Sequence, residues 1–373
     1  NNLNSYEGLT DLAIDDSSYI YTVQKNISNQ YSLVKYDSSF NIIWTMSSLS
    51  VTNVQKIKFN QNNNKIYISG QLGSQNGNNN YQGTGSVNGV SISSGFGYVA
   101  QINSITGACD WASPISVGNS GDYNEFTFNN NYLCLISKQN PYYWYWCLTT
   151  LNISDGSFVY DETNIGERGR ADCLLDNSNN LIVSGFSGAS QYDIFNGNCL
   201  YYNSQCINYQ GQGHEKNNLI AGNSNDFYRF SNDQNYTIEN FNVGSPNSSN
   251  LSYGFQTDAS SSPAGLDLSY HSYKTDFGFS LGIEFNKSNI LIFNQLFLKD
   301  KFNHYGSYLF LDVDSNFNIL NSFLINPMCN LHSTRFAASN NGKKCVFFEQ
   351  VDGSIIVNGT VYSGNNKFLI YVE

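Results

Sequence analysis

The residue types that most often carry catalysis are scattered along this sequence. Its four histidines, His214, His271, His304 and His332, stand alone, without the spacing of a zinc protease helix or of a paired-histidine metal site. We therefore expect no catalytic residues and no enzymatic activity. A polysaccharide-active lyase or hydrolase is kept as an alternative, since spacing alone cannot show a cluster that forms only in the fold.

The densest charge precedes one predicted strand, in the sequence ERGRAD. Two arginines can hold a carboxylate as a fork, so an anionic sugar is a candidate ligand. The competing interpretation is pairing with acidic residues of neighbouring strands, or a solvated loop. The candidate ligand-binding residues, with those at equivalent places in other repeats, are Glu167, Arg168, Arg170, Asp172, Asp122, Glu125, His332 and Arg335.

Aromatic residues crowd the sequence PYYWYW at 141–146. In a strand, Tyr142, Trp144 and Trp146 share one face, and Trp144 is the candidate for stacking on a sugar ring. A strand buried on both faces predicts the same residues, so this candidate lectin site stays open.

The sequence DVDSNFN offers oxygen ligands at alternating positions, as at the start of a calcium loop. The candidate ligands are Asp312, Asp314 and Asn316. The glycine and glutamate of a complete loop are missing, and DSSFN at 37–41 makes a similar turn, so a plain turn is the alternative. We expect no other cofactor.

Eight cysteines without zinc-ligand spacing favour disulfides and an oxidising compartment. The candidate pairs are Cys134 with Cys147, Cys199 with Cys206, and Cys329 with Cys345; buried free thiols are the alternative. Glycosylation sequons are no more frequent than the abundance of Asn, Ser and Thr predicts. They lie at Asn26, Asn152, Asn235, Asn247, Asn250, Asn286 and Asn358.

The composition argues against nucleic-acid and membrane partners. The net charge is −11, charged residues make up 13% of the 373 residues, and aromatic residues reach 15%. Nucleic-acid binding requires a basic face, which the scattered Lys and Arg do not provide. No apolar run is long enough to span a bilayer. The chain begins without Met, and we expect a processed product.

Short strands and polar turns repeat along the whole chain. The stretch 53–111 reads as a strand hairpin, an insertion rich in Gly, Asn and Ser, and a second hairpin. A period near 50 residues of four antiparallel strands is typical of a β-propeller. We name the strands of each blade A, B, C and D. Turns such as NSITG and DSSFN join C to D, and their final Gly or Asn is expected to take a positive φ.

The sequence predicts one β-propeller domain over residues 1–373. C strands are expected to start at residues 31, 98, 146, 192, 227, 308 and 368, which gives seven blades; six is the alternative. Residues 244–275 lack the pattern and are predicted to be an irregular insertion. We expect the N-terminal stretch NNLNSY to complete the last blade and close the ring. Donation of that strand by a neighbouring subunit is the alternative.

The sequences GYVAQINSITGACDW and VNGTVYSGNNKFLIYVE resemble the SBBP β-propeller repeat, in which a Gly-rich insertion precedes a similar segment. The match is poor between residues 188 and 275, and the cysteines depart from the pattern. The resemblance implies an extracellular or cell-surface propeller and brings no catalytic residues.

We predict a non-catalytic extracellular structural or adhesive propeller, as a subunit of a surface appendage, filament or virion. Its expected partners are copies of itself or surface proteins. The alternatives are a carbohydrate-binding propeller with glycan partners and the polysaccharide-active enzyme. The expected location is extracellular, on a cell or virion surface.

Overall fold

The computed structural model describes most of the first half of the chain and shorter pieces of the second. The described residues are 6–73, 82–116, 120–138, 146–162, 172–176, 178–185, 188–203, 218–221, 226–231, 237–242, 252–256, 269–285, 289–292, 295–298, 307–327, 331–350, 354–357, 360–363 and 367–372. All regular secondary structure in these residues is β-strand, which confirms the predicted all-β class.

The strands are short, as their alternating or wholly apolar sequences predict. They are β1 (Tyr6–Ile14), β2 (Ile20–Asn26), β3 (Tyr31–Tyr36), β4 (Ile42–Met46), β5 (Leu49–Ser50), β6 (Lys56–Asn60), β7 (Lys65–Gln71), β8 (Gly83–Val87), β9 (Val90–Gly95), β10 (Gly97–Asn103), β11 (Cys109–Ile115), β12 (Ser120–Phe128), β13 (Tyr132–Lys138), β14 (Trp146–Asn152), β15 (Phe158–Glu162), β16 (Asp172–Leu175), β17 (Asn180–Gly185), β18 (Gly188–Asp193), β19 (Cys199–Asn203), β20 (Asn218–Ala221), β21 (Asp226–Ser231), β22 (Thr237–Asn242), β23 (Ser252–Gln256), β24 (Ser269–Thr275), β25 (Gly278–Phe285), β26 (Asn289–Ile292), β27 (Gln295–Leu298), β28 (Ser307–Asp314), β29 (Ile319–Pro327), β30 (Leu331–Ala338), β31 (Lys344–Gln350), β32 (Ser354–Val357), β33 (Thr360–Ser363) and β34 (Lys367–Val372).

These strands form antiparallel sheets that follow one another along the chain. The first is β1-β2-β3-β4, the second β6-β7-β10-β11, the third β12-β13-β14-β15 and the fourth β16-β17-β18-β19. The fifth is β20-β21-β22-β23 extended by β26-β27, and the sixth is β24-β25-β28-β29 extended by β32-β33. The last described sheet is β30-β31-β34, and a small side sheet is β5-β8-β9.

The A strands lie side by side around a common axis. β1 contacts both β6 and β30, β16 contacts both β12 and β20, and β24 contacts both β20 and β30. The third sheet joins the second through β12 and β7. Contact between the first and last A strands makes the arrangement a ring, so the fold is a β-propeller. The number of blades stays a prediction, because residues 204–306 are described only in part.

Apolar clusters lie between neighbouring sheets, and the first, second, third and last sheets have such a cluster on both faces. One core cluster joins Tyr21 and Leu33 of the first sheet to Ile68 and Tyr98 of the second. Similar clusters lie between the second and third sheets, the third and fourth, and the sixth and last. Full burial of a large apolar side chain contributes about 1.5–3 kcal/mol, which explains strands without a solvent face.

Two neighbouring pairs of sheets share the same polar contact, which we call the clasp. In the first clasp, Lys35 Nζ and Trp44 Nε1 both donate to the Ser104 carbonyl, at 2.9 and 3.2 Å. In the second, Gln101 Nε2 and Trp111 Nε1 both donate to the Ile153 carbonyl, at 2.9 and 3.3 Å. Each clasp ties the C and D strands of one sheet to the C–D turn of the next.

The clasp requires a glycine in the turn beneath the indole ring. Gly107 and Gly156 have φ of 72° and 70°, and each backbone lies against the ring of the preceding tryptophan. The positive φ predicted for these glycines is therefore confirmed. In DSSFN and DSNFN the prediction is wrong, because Phe40 and Phe317, not the final Asn, have positive φ of 63° and 62°. These turns close one residue earlier, through Asp-to-Asn hydrogen bonds such as Asp37 N to Asn41 O at 3.0 Å.

Hairpins inserted between B and C strands reach back to the preceding sheet. β8-β9 pairs with β5, which follows the first sheet; β26-β27 pairs with β23; and β32-β33 pairs with β29. Sequence alone does not separate such a hairpin from the strands of a blade. The apolar run NILI at 289–292 has the pattern of a B strand, but it is the first strand of the inserted hairpin, and β24 and β25 are the A and B strands of the sixth sheet.

Three further assignments in this region are corrected by the strand pairing. The predicted insertion at 244–275 contains β23 and β24, and β24 is the A strand of its sheet. Phe227, predicted to start a C strand, lies in the B strand β21. Tyr192, predicted to start another, lies near the end of the C strand β18, opposite Leu181.

The first and last sheets are joined by direct contacts. Leu9 and Ile20 share an apolar cluster with Phe347 and Leu369. Asn341 Nδ2 and Lys343 Nζ donate to the Asp16 carbonyl at 2.9 and 3.0 Å, and Tyr371 donates to Ser18 at 3.0 Å. Residues 1–5, predicted to complete the last blade, lie outside the described residues; Tyr6 belongs to β1, opposite Asn26.

The predicted bridge between Cys134 and Cys147 is wrong. Cys134 is a buried free thiol opposite Thr150, whereas Cys147 is opposite Ser137, three positions along the strand and therefore on the other face of the sheet. Cys345 is a buried free thiol opposite Ala337, so its predicted bridge is also wrong. Its proposed partner Cys329 lies outside the described residues, as does Cys206, the proposed partner of the exposed Cys199.

Candidate functional site

The A strands bring charged side chains together around the axis, in a group that we call the hub. Alternation along each strand directs one set of side chains inward, and in several A strands that set includes a charged residue. The hub consists of Asp11 (β1), Lys56 and Lys58 (β6), Glu125 (β12), Asp172 (β16), Tyr273 (β24) and Arg335 (β30).

Glu125 holds the lysine side of the hub together. Its carboxylate pairs with Lys56 Nζ at 2.9 Å and with Lys58 Nζ at 2.6 Å, one oxygen to each cation. Burial alone would raise the pKa of Glu125, but the two ammonium charges outweigh it and lower the pKa to about 2. The charge of Glu125 in turn raises the pKa of Lys56. The glutamate and both lysines are therefore charged near neutral pH.

The other side of the hub spans the junction of the first and last sheets. Asp11 accepts a hydrogen bond from the Ile57 amide at 3.1 Å, and Arg335 Nε donates to the Thr10 carbonyl at 2.7 Å. Burial raises the pKa of Asp11, and the charges of Lys56 and Arg335 reduce that rise. Tyr273 Oη donates to the Phe336 carbonyl at 2.8 Å, so the sixth sheet is tied to the same place.

Among the described residues, the hub balances its charges and holds no activated nucleophile. Asp11, Glu125 and Asp172 face an equal number of cations from Lys56, Lys58 and Arg335. The Cys173 thiol interacts with Lys58 and Glu125, but burial raises its pKa well above its ordinary value, so it stays protonated and unreactive. The geometry suits a polar lining that joins the sheets.

One further sequence has the spacing of a hydrolase serine. Gly278, Ser280 and Gly282 read Gly-x-Ser-x-Gly, but Ser280 lies inside β25 and is fully buried. Its hydroxyl donates to Asp312 at 2.7 Å, and Asp312 pairs with the buried Lys344 at 2.7 Å. This chain of contacts joins the sixth and last sheets and does not reach solvent.

The side chains of the predicted calcium ligands Asp312 and Asp314 bind other groups of the protein. Asp312 makes the buried ion pair just described. Asp314 accepts hydrogen bonds from the amides of Asn316 and Asn318 at 2.9 and 2.8 Å, and thus caps its turn. Among the described residues, no group of three or more His, Cys, Asp and Glu side chains could hold a metal ion. Calcium binding remains a prediction without structural support.

The structure brings only some of the predicted ligand-binding residues together. Asp172 and Arg335 belong to the hub, and Glu125 joins them. His332 lies in β30 opposite Glu349. Glu167, Arg168, Arg170 and Trp144 lie outside the described residues. The sequence interpretation missed Asp11, Lys56 and Lys58. The signal that could have found them is charge next to buried apolar positions, since the two lysines flank Ile57 and Asp11 directly precedes the apolar residues 12–14.

Two of the seven predicted glycosylation sequons, at Asn26 and Asn152, lie in the described residues. The Asn26 side chain accepts from the Ser28 and Gln30 amides, and Asn152 donates to Ser157. Asn235, Asn247, Asn250, Asn286 and Asn358 lie outside the described residues.

A second feature is a set of exposed apolar side chains at one end of the sheets. Among the described residues, all large exposed apolar side chains but Ile27 lie in a C–D turn or at the first two positions of a D strand. In an antiparallel A-B-C-D sheet, the A–B and C–D turns are at the same end. We call this set the rim: Ile42, Ile43, Ile105, Phe158, Phe195, Leu200 and Leu320.

The rim recurs in the first, second, third, fourth and sixth sheets, so it follows the ring. Single exposed apolar residues are normal on protein surfaces, whereas here they recur at one structural position in five sheets. The exposed fractions reach 60% at Ile42 and 69% at Ile105.

The described residues contain no helix that could span a membrane.

No protein-family model and no curated protein matches the chain. The resemblance to the SBBP repeat therefore stays a prediction.

Solved structures are similar over most of the chain at low identity. The β-propeller domain of Cps50 (Swd1) from Myceliophteria thermophila is 10% identical, with 94% of this chain and 96% of that chain covered and a TM-score of 0.49. The C-terminal WD40 domain of Sif2 is 10% identical, with 91% and 78% covered and a TM-score of 0.47. BamB from Moraxella catarrhalis is 11% identical, with 95% and 83% covered and a TM-score of 0.41. The propeller fold is assigned from the sheets and the ring of A strands described above.

Proposed function

We propose that this chain is a non-catalytic β-propeller that acts as an interaction module, with a structural or adhesive role. The observation that supports this proposal is the rim, because exposed apolar side chains at one end of successive sheets form a surface suited to a protein partner. The hub supports the non-catalytic part, since its charged groups bind one another and its nearby thiol is unreactive.

We further propose that the module works outside the cell or on a cell or virion surface, as part of an appendage or filament. This part rests on the composition, with 13% charged and 15% aromatic residues. The free thiols of Cys134 and Cys345 remove the support that the predicted disulfides gave. The carbohydrate-binding alternative depended on Trp144, Arg168 and Arg170, and no described residue favours it.

The experiment compares the rim with the opposite end of the sheets. The triple variant Ile43→Ser, Phe158→Ser and Leu320→Ser removes apolar contact from three sheets, and the control Ile27→Ser alters a still more exposed residue in the B–C turn of the first sheet. Each protein is immobilised and incubated with extract of the source organism, and the binding of recovered proteins is then measured with purified components. We expect a partner that binds the wild type and the control but not the triple variant. Partners retained equally by all three proteins would contradict the proposal.

A further inference from the structure

The end of the sheets that carries the rim is also strongly acidic. Among the described residues, its A–B and C–D turns contain a single exposed or partly exposed cation, Lys343, and the exposed Lys274 lies one residue before the end of β24. The same turns, together with the last residues of the strands that lead into them, contain the following carboxylates: Asp16, Asp37, Asp155, Asp176, Asp193, Asp276 and Asp314. Lys65, at the start of β7, is neutralised by Asp110 at 2.8 Å.

The turn geometry favours the charged form of three of these carboxylates. Asp37 and Asp314 accept hydrogen bonds from the side chain and amide of the Asn four residues later, and these bonds lower the pKa of both aspartates. The pKa of Asp155 is lowered by the Ser157 amide and hydroxyl. These three aspartates are therefore negatively charged at neutral pH while they stabilise their turns.

Carboxylates lie close in sequence to most of the exposed apolar side chains at this end. Phe195 lies two residues after Asp193, Phe158 lies three after Asp155, and Ile42 lies five after Asp37. The turns of the second sheet, which carries Ile105, contain no carboxylate. Interfaces combine apolar contact with complementary charge, so the two features together define what can bind.

We propose, on the basis of the interaction function above, that the acidic rim binds a cationic polypeptide that also carries exposed apolar side chains. Repulsion between like charges argues against three other binding partners: a second copy of the chain, an anionic glycan and an anionic lipid surface. A second copy that met this end with its own rim would place carboxylates against carboxylates, and an anionic glycan or anionic lipid surface would be repelled in the same way. A polypeptide with Lys or Arg beside Leu or Phe complements both features.

The turns of the protein itself supply the matched substitution. Asn103 and Asn152 begin turns of the same length as the turn of Asp193. Asn26 begins a turn of the same length as those of Asp37 and Asp314, and its side chain accepts from the amides two and four residues later, as theirs do. The change from Asp to Asn therefore removes charge and keeps the turn. The acid variant is Asp37→Asn, Asp193→Asn and Asp314→Asn; the apolar variant is Ile43→Ser, Phe158→Ser and Leu320→Ser; and the control is Ile27→Ser.

The probe is a labelled amphipathic Lys/Leu peptide, with a Glu/Leu peptide of the same pattern for comparison, and binding is followed by fluorescence anisotropy over a range of salt concentrations. We expect the wild type to bind the Lys/Leu peptide and not the Glu/Leu peptide. The acid variant should lose about tenfold in affinity and show a weaker dependence on salt, because three exposed charge pairs are lost. The apolar variant should also lose about tenfold, but with the salt dependence of the wild type. The Ile27→Ser control should bind as the wild type does.

The outcomes separate this inference from the proposed function. An apolar variant that loses binding while the acid variant binds like the wild type would overturn the cationic partner and leave the interaction surface in place. Equal binding of the peptide by the wild type and both variants would contradict the rim as the binding surface. Melting temperatures of the variants close to that of the wild type confirm that the comparison is between folded proteins.

Discussion

Gly156 is the position where the packing between sheets can be tested most sharply. Its φ is 70°, and a Cβ atom added there would lie 2.4 Å from Trp111 Cε3 and 2.6 Å from Ser113 Oγ. Gly89 has a similar φ of 85° in the β8–β9 turn, but a Cβ atom there would meet nothing within 4 Å. The two glycines therefore share a backbone conformation and differ only in their surroundings.

The expected costs follow from this difference. Placing Ala in the left-handed region costs about 1–2 kcal/mol at either position. At Gly156 the new methyl group also displaces the indole, and such overpacking costs a further ~1–3 kcal/mol. We expect Gly156→Ala to lower the free energy of unfolding by about 2–5 kcal/mol and Gly89→Ala by about 1–2 kcal/mol.

Urea denaturation of the two variants and the wild type gives these values, and tryptophan fluorescence reports on the indole environment. Displacement of Trp111 would also lengthen its 3.3 Å hydrogen bond to the Ile153 carbonyl. Equal destabilisation by both substitutions would refute the clasp, since the left-handed backbone alone would then account for the effect at Gly156.

Three other predictions concern buried groups. Lys35→Gln should be neutral or stabilising, because Gln101 makes the same clasp without a charge, whereas Lys35→Met should cost about 1 kcal/mol through the lost hydrogen bond. Burial lowers the pKa of Lys35 in the folded protein below its unfolded value of 10.5. As the pH rises from the folded pKa toward 10.5, the free energy of unfolding of the wild type should therefore increase relative to that of Lys35→Gln. If the two proteins showed the same dependence of this free energy on pH, the reasoning would be wrong. Glu125→Gln should cost about 1–3 kcal/mol after allowance for the partly exposed lysines. Because the pKa of Glu125 is lowered to about 2, the Glu125 carboxylate stabilises the fold at neutral pH, and this stabilisation is lost as the pH falls below about 4.5. In urea titrations, the free energy of unfolding of Glu125→Gln should therefore decrease less with acid than that of the wild type. Finally, peptides containing Cys134 and Cys345 should be fully alkylated when the protein is unfolded without reductant, and their recovery as disulfides would contradict the structure.

Much of the fold follows from local sequence. The hairpins around residues 15–19, 61–64 and 129–131 have polar turns between apolar strands, and those patterns place their strands correctly. The errors arise where one local pattern serves two tertiary roles. The run at 289–298 has the apolar content of a blade hairpin, but it pairs with β23 of the preceding sheet, and only the tertiary pairing decides this.

The sites were harder to predict because they form from single residues far apart in the chain. Asp11, Lys56 and Glu125 belong to three different A strands, and they become a group only when the ring brings the A strands together. Rim residues such as Ile43 and Leu320 have the same apolar character as core residues. Their exposure follows from their place at the start of an outermost strand, which the sequence pattern does not distinguish.

We propose that this propeller binds its partner through the rim at the C–D end of the sheets. Hydrogen–deuterium exchange of the protein with and without the Lys/Leu peptide locates the bound surface. We expect slower exchange on binding in the C–D turns and early D strands at 37–43, 103–110, 152–158, 193–200 and 314–320, with no change in the B–C turn at 26–30. Protection confined to that B–C turn, or to the inner strands that carry the hub, would contradict it.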